Sequence, residues 1–135
     1  MAKREGKHGL HQLFRALADP TRLRLLNLMA DREICVCYFV EILRISQPKI
    51  SRHLAYLRKA GIVSARRDGK WIHYRLVVPT DEVSANILRQ TLKHLSSKPE
   101  MQRDSAQLGP ACCGSGRYAT LASAPQPTVM SEATS

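Results

Sequence analysis

A mainly α-helical fold carrying a small β-hairpin wing, the winged helix-turn-helix, is what this sequence predicts, on three observations. Ile50, Leu54 and Leu57 recur at helical spacing after Ser46-Gln47-Pro48, a helix-start signal with a good N-cap residue and a proline in the first turn. Directly after that helix, two extended stretches flank Asp68-Gly69, a strong two-residue hairpin signal. Finally, the stretch from Ser46 to Leu76 holds Lys49, Arg52, Arg58, Lys59, Arg66, Arg67, Lys70 and Arg75 against the single acid Asp68, so most of the net charge of +10 lies within it. Cations gathered on a helix and a ribbon are the footprint of a protein that meets a phosphate backbone.

Length and composition set the frame for these elements. At 135 residues and 44% apolar content, the chain makes one domain with one modest core. No run approaches the roughly 18 to 20 consecutive apolar residues of a membrane span. The opening MAKREGKHGLHQLF also lacks the apolar core of a signal peptide. The expectation is a cytoplasmic protein with no membrane association. Its four cysteines, Cys35, Cys37, Cys112 and Cys113, would then stay as thiols, suited to metal binding or redox sensing rather than to a structural disulfide.

In chain order, residues 1–9 are polar and basic and read as a flexible arm. A winged helix-turn-helix domain for DNA binding and dimerisation then spans 10–97. Leu10, Leu13, Phe14 and Leu17 step at i, i+3, i+4, i+7 along a first amphipathic helix. Asp19-Pro20 stops it and starts the next, whose Leu23, Leu25, Leu26 and Leu28 nearly encircle it, so the second helix belongs in the middle of the core. Asp31, Arg32 and Glu33 break the pattern, and Val36, Phe39, Val40 and Leu43 mark a third, short helix whose start carries Cys35 and Cys37. With the helix from Ser46 this makes helix, tight turn, helix, the second helix being the reader. Gly61 ends the reader as a C′ residue, Val63 begins the wing, and Ile72, Tyr74 and Leu76 alternate with Trp71, His73 and Arg75 on the return strand. Pro79-Thr80-Asp81-Glu82 starts a last helix with acids where the dipole favours them. Its stripe of Val83, Ile87, Leu88, Thr91, Leu92 and Leu95 is wider than so small a core can cover, which predicts a homodimer interface shared with the first helix. From 98 to 135 the composition turns to Ser, Ala, Gly, Pro, Thr and Gln and predicts a disordered tail carrying the vicinal pair Cys112-Cys113.

Relative to the apolar face of the reader helix, Pro48, Arg52, Ala55 and Lys59 lie opposite, Lys49 and Tyr56 on one shoulder and Ser51 on the other. Gln47, Lys49, Ser51 and Arg52 are therefore the candidates for base-edge and nearby phosphate contacts, with Tyr56 and Lys59 also on the exposed side. Arg66, Arg67 and Lys70 in the wing are candidates for phosphates or the flanking minor groove of double-stranded DNA. The plainer alternative is a surface helix and hairpin with a solvated basic face.

Four stretches, LFRALADPTRLRLL, EICVCYFVEIL, ISQPKISRHLAYLRKAGIV and ARRDGKWIHYRL, together resemble the arsenic-responsive repressors of the ArsR/SmtB superfamily over roughly residues 10–97. The resemblance implies a homodimeric repressor that binds operator DNA when unliganded and releases it when a toxic metal or metalloid binds. No cofactor is required; the implied inducer is trivalent arsenic, as arsenite or methylarsenite, or antimony. In the arsenic branch the third helix usually begins Glu-Leu-Cys-Val-Cys-Asp-Leu-Cys. The same place here reads Glu33-Ile34-Cys35-Val36-Cys37-Tyr38-Phe39-Val40, so the first two cysteines carry over and the third position is Val40.

On a helix, residues two apart point about 200° from each other, so chelation by Cys35 and Cys37 is expected to unwind or re-aim the helix start beside the reader. The plainer reading of this pair is two small buried hydrophobes. Cys112 and Cys113 carry four readings. The tail folds back to supply a third thiolate to Cys35 and Cys37; or the vicinal pair is a separate two-thiolate site suited to a methylated arsenical; or all four cysteines form a tetrathiolate site for cadmium, lead or zinc; or the pair is exposed and without regulatory use. A cadmium- or lead-responsive repressor and a thiol redox-sensing repressor are the corresponding alternatives. His8, His11, His53, His73 and His94 form no close ligand set, and no phosphate loop or nucleophile-base spacing supports an enzyme.

Overall fold

The computed structural model describes residues 9–114 and 116–130. The arm expected over residues 1–9 lies, Gly9 apart, outside them. Helix α1 (Leu10–Leu17) buries Leu13 and Ala16 but leaves Leu10 and Phe14 43% and 52% exposed. Helix α2 (Pro20–Leu28) starts where Asp19 accepts a hydrogen bond from the Arg22 amide at 3.0 Å. Leu25, Leu26, Leu28 and Met29 are wholly buried on it, as expected of a helix apolar on most sides.

The sequence pattern missed the next element. Arg32–Cys35 is a strand, β1, and helix α3 (Val36–Leu43) begins only after Cys35, which is its extended N-cap residue with φ −69° and ψ 143°. The expectation of a helix starting at the cysteines is corrected accordingly. β1 exists because its backbone groups find partners on both sides, one of them about 40 residues later in the wing, and such pairing leaves no local periodicity in the sequence.

Arg44 ends α3 in the left-handed region (φ 59°), and Ile45 and Ser46 lead straight into α4 (Gln47–Lys59). Ser46 holds the N-cap position with extended backbone, though its side chain makes no capping bond. Ile50, Leu54 and Leu57 are fully buried, as their spacing requires. β2 (Val63–Asp68) and β3 (Trp71–Leu76) pair in register from Val63↔Leu76 to Asp68↔Trp71. The two loop residues are thus Gly69 and Lys70, one step beyond the expected turn. Gly69 alone has positive φ, at 64°, as a type II′ turn demands. Helix α5 (Glu82–Ser96) is capped by Asp81, whose carboxylate accepts from the Ser84 amide at 2.9 Å.

Of the stretch 98–135, expected as a disordered tail, the described residues 98–114 and 116–130 fold back over the domain. Helix α6 (Pro99–Ala106) packs on α2 and α5, α7 (Leu108–Cys113) packs on α3, a 3-10 turn spans Gly116–Leu121, and β4 (Thr128–Val129) pairs with β1. The polar average of this segment hid a few widely spaced anchors: Met101, Ala111, Tyr118, Leu121 and Ala124 are buried. Arg24 grips buried Asp104 through Nε and a terminal nitrogen at 2.8 and 2.9 Å, and Asn27 donates to the Met101 carbonyl at 3.0 Å. Gly114, with φ 64°, turns the chain so tightly after α7 that a Cβ there would stand 2.9 Å from the Ala122 Cα.

Among the described residues the strands form one antiparallel sheet in the order β2-β3-β1-β4. No described helix is long and apolar enough to cross a membrane.

Candidate functional site

The basic surface forms around α4. Gln47, Lys49, Arg52 and Lys59 are exposed, and Ser51 and Tyr56 are half-buried. Burying Ile50, Leu54 and Leu57 contributes about 1.5 to 3 kcal/mol each and fixes which side of α4 remains free. One residue that the sequence pattern did not single out organises this face. Arg22, on α2, donates to the Ala16 carbonyl at 2.8 Å and the Arg15 carbonyl at 2.9 Å, and its guanidinium lies 4.2 Å over the Tyr56 ring. It also comes within 3.5 Å of His53 Nδ1, which stands 3.7 Å from the Asp19 carboxylate. Arg22 thereby ties the end of α1, the start of α2 and the reader helix together, and Tyr56 is held as part of that clamp. A cleft between α2 and α4 opens beside it, lined by Thr21, Arg22, Lys49, Arg52, His53 and Tyr56. Only position, two residues after Pro20, could have pointed to Arg22.

In the wing, Arg67 and Lys70 are exposed, the Lys70 ammonium 5.0 Å over the Trp71 ring. Arg66 is exposed too, yet it is paired: its guanidinium donates to both oxygens of Glu33 at 2.7 and 3.1 Å. That pair holds the Glu33 carboxylate below its ordinary pKa. Glu33 sits on β1, two residues before Cys35, so the wing is fastened to the strand that carries the first cysteine.

Cys35 and Cys37 meet at that junction. Because Cys35 is extended and only Cys37 is helical, their sulfurs are 3.0 Å apart, the Cys37 thiol donating to Cys35. The expectation that an intact helix start must keep them apart is corrected by this change of backbone at Cys35. Hydrogen bonding from Cys37, aided by the backbone N–H groups of Cys37, Ile72 and Val36, outweighs burial and brings the Cys35 thiol down to about 6; the same contact pushes Cys37 up.

Next along α3, Tyr38 is wholly buried. Its hydroxyl and His73 Nε2 are buried without a hydrogen-bond partner among the described residues. Burial raises the Tyr38 phenol to about 12, with further contributions from Cys112, Cys37 and Cys35. Cys112 is half-buried and Cys113 exposed. Val40, in the third position of the motif, is half-buried on α3. Among the described residues no three His, Cys, Asp or Glu side chains are gathered as a ready-made metal cage.

The profile described as "Bacterial regulatory protein, arsR family" matches residues 19–65, from the start of α2 into the wing. The "Arsenic resistance transcriptional regulator ArsR1" of Pseudomonas putida is 55% identical over 65 residues, 47% of this chain and 51% of that protein. The "Arsenical resistance operon repressor" of Escherichia coli is 54% identical over 66 residues, 48% of this chain and 56% of that protein. The chain thus spans about half the length of these two relatives. A solved structure described as the "AntR antimony-specific transcriptional repressor" superposes with a TM-score of 0.50 at 33% identity, covering 62% of this chain and 74% of that one. The helix-turn-helix and the wing agree with these matches, and the chain belongs to the arsR family of bacterial regulatory proteins.

Proposed function

We propose that this protein is a dimeric, cytoplasmic transcriptional repressor, not an enzyme, that holds operator DNA with α4 and the wing and releases it when trivalent arsenic or antimony is bound by Cys35 and Cys37. The observation that carries the reading is the 3.0 Å approach of the two sulfurs on β1 and α3, the elements that also position the wing and the reader. The donor set suits a thiophilic metalloid, since two sulfurs converge and one is already biased to thiolate. The names of the relatives, for arsenic resistance and antimony, support the same choice of ligand.

Gln47, Lys49, Ser51 and Arg52 meet base edges and nearby phosphates, Lys59 flanks them, and Arg67 and Lys70 hold phosphates from the wing. Tyr56 contributes from within the Arg22 clamp, and Arg66 is shared between Glu33 and the DNA. A second copy covers Leu10, Phe14 and Val83, large apolar side chains left exposed on α1 and α5. When Cys35 and Cys37 close on the metalloid, β1 and the start of α3 shift. Glu33 passes the shift to the wing, and α3 passes it to α4. A hundredfold to thousandfold loss of operator affinity requires about 3 to 4 kcal/mol of differential binding.

The test is release of a labelled palindromic operator duplex under reducing conditions by arsenite, antimonite and cadmium, for the full chain and for Cys35→Ser. Metalloid-driven release that Cys35→Ser abolishes supports the proposal. Release by cadmium alone would replace the inducer, and release by peroxide without metalloid would favour a redox repressor, a reading the close Cys35–Cys37 contact also supports.

A further inference from the structure

A trivalent arsenic or antimony atom takes three sulfurs in a pyramid, and β1 with α3 brings together two. The position one helical turn on from Cys37 is Val40, so α3 offers no third. We infer that Cys112, carried on α7 of the same chain, is the third sulfur of the metalloid site, and that Cys113 takes no part. This rests on the reading that Cys35 and Cys37 hold the metalloid.

Three observations carry the assignment. First, α7 packs directly on α3, and Cys112 lies on its inward side against the core while Cys113, the next residue, faces solvent. Second, the Tyr38 hydroxyl, on the residue that follows Cys37, is buried with no hydrogen-bond partner among the described residues. An orphaned buried hydroxyl is destabilising, a penalty removed if it donates to a sulfur that has become a permanent thiolate ligand. Third, the segment is anchored on both sides of Cys112, by Arg24–Asp104 before it and by the Gly114–Ala122 contact after it. Such anchoring lets α7 shift towards the pair without leaving the domain. The three sulfurs do not already form a cage, so closing it requires that shift, and α7, a helix of only six residues with Pro110 in its first turn, is the element that makes it.

The chemistry is ligand exchange at constant oxidation state. As(OH)3 and three thiols give As(SR)3 and three waters; each new As–S bond displaces one hydroxyl, which leaves with the proton of the incoming thiol. Where Cys35 is already a thiolate, that proton comes from solvent.

Phenylarsine oxide separates the two levels of the reading, because its arsenic keeps a carbon and can accept only two sulfurs. With the full chain under reducing conditions, binding of arsenite and of phenylarsine oxide is measured, and protected cysteines are mapped by alkylation and mass spectrometry. Arsenite is expected to protect Cys35, Cys37 and Cys112. Cys112→Ser, close in shape to the native residue, is expected to weaken arsenite by on the order of 100-fold, the gain that a tethered ligand supplies, and to leave phenylarsine oxide unchanged. Cys113→Ser should alter neither. Unchanged arsenite binding in Cys112→Ser, or protection of Cys113 in place of Cys112, overturns the assignment and leaves the two-cysteine reading intact. Equal weakening of both probes also overturns it, since Cys112 would then be needed by a two-sulfur ligand. If neither probe protects Cys35 and Cys37, both the assignment and the reading beneath it fall.

Discussion

Asp104→Ala asks how firmly the C-terminal segment is docked. Asp104 is buried, its side chain 9% exposed, and it receives two charge-assisted hydrogen bonds from Arg24, whose side chain is 25% exposed. Breaking a fully buried pair costs about 3 to 5 kcal/mol, because one charge is left behind without a partner. Arg24 can recover part of that by turning to water, so about 2 to 3 kcal/mol is the reasonable loss. The substitution acts on docking of α6 more than on the rest of the core, because the buried leucines of α2 and α4 remain covered by one another. A loss of that size raises the open population of the segment roughly 30- to 150-fold. Native-state amide exchange reads it directly: protected amides of α6 and α7 should exchange faster by about that factor. Amides of α2 and α4 should change much less. Unaltered exchange in α6 and α7 would refute the claim that the Arg24–Asp104 pair holds this segment, and a uniform acceleration throughout would show that the segment and the winged domain open as one unit.

Cys35 should titrate well below an ordinary thiol, with a midpoint near pH 6 in its ultraviolet thiolate absorbance, taken as the difference from Cys35→Ser. The stabilisation its depressed pKa provides is complete above the ordinary thiol value of about 8.5 and is lost as pH falls through about 6; Cys37→Ala should move the midpoint upward, and an unmoved midpoint would deny the sulfur contact its role. Glu33→Ala frees Arg66 for the DNA backbone, so the slope of log affinity against log salt should steepen by roughly one; an unchanged slope would show that Arg66 reaches phosphate already or never does. Phe14→Glu places a charge on the exposed face of α1 and should weaken self-association by about 30-fold or more, read by sedimentation, with helix content retained. Equal dimerisation of the variant would place the interface elsewhere.

The helices of the winged domain were legible in the sequence because each depends on neighbours a few residues away. Ile50, Leu54 and Leu57 announce α4 by spacing, Asp19-Pro20 and Asp81 announce two helix starts, and Gly69 announces the wing turn. The basic face of α4 follows by geometry once the buried face is known. Strand β1 was hidden, since four residues reading Arg-Glu-Ile-Cys become a strand only through partners in β3 and β4. Without β1, the local pattern puts Cys35 on a helix and sets apart two sulfurs that in fact touch. The C-terminal segment was hidden for a related reason. Its anchors, Met101, Asp104, Ala111, Tyr118 and Leu121, are too sparse to shift an average composition, and Asp104 reads as an ordinary surface acid until Arg24 stands across from it. Sequence by itself thus determined the fold class, the helices of the winged domain and the basic face of α4, all of which rest on local periodicity, capping and residue chemistry. Tertiary structure decided which sulfurs meet, that Arg66 is tied to Glu33, that Arg22 clamps the reader, and that Cys112 lies against α3, because each depends on the distance between residues far apart in the chain.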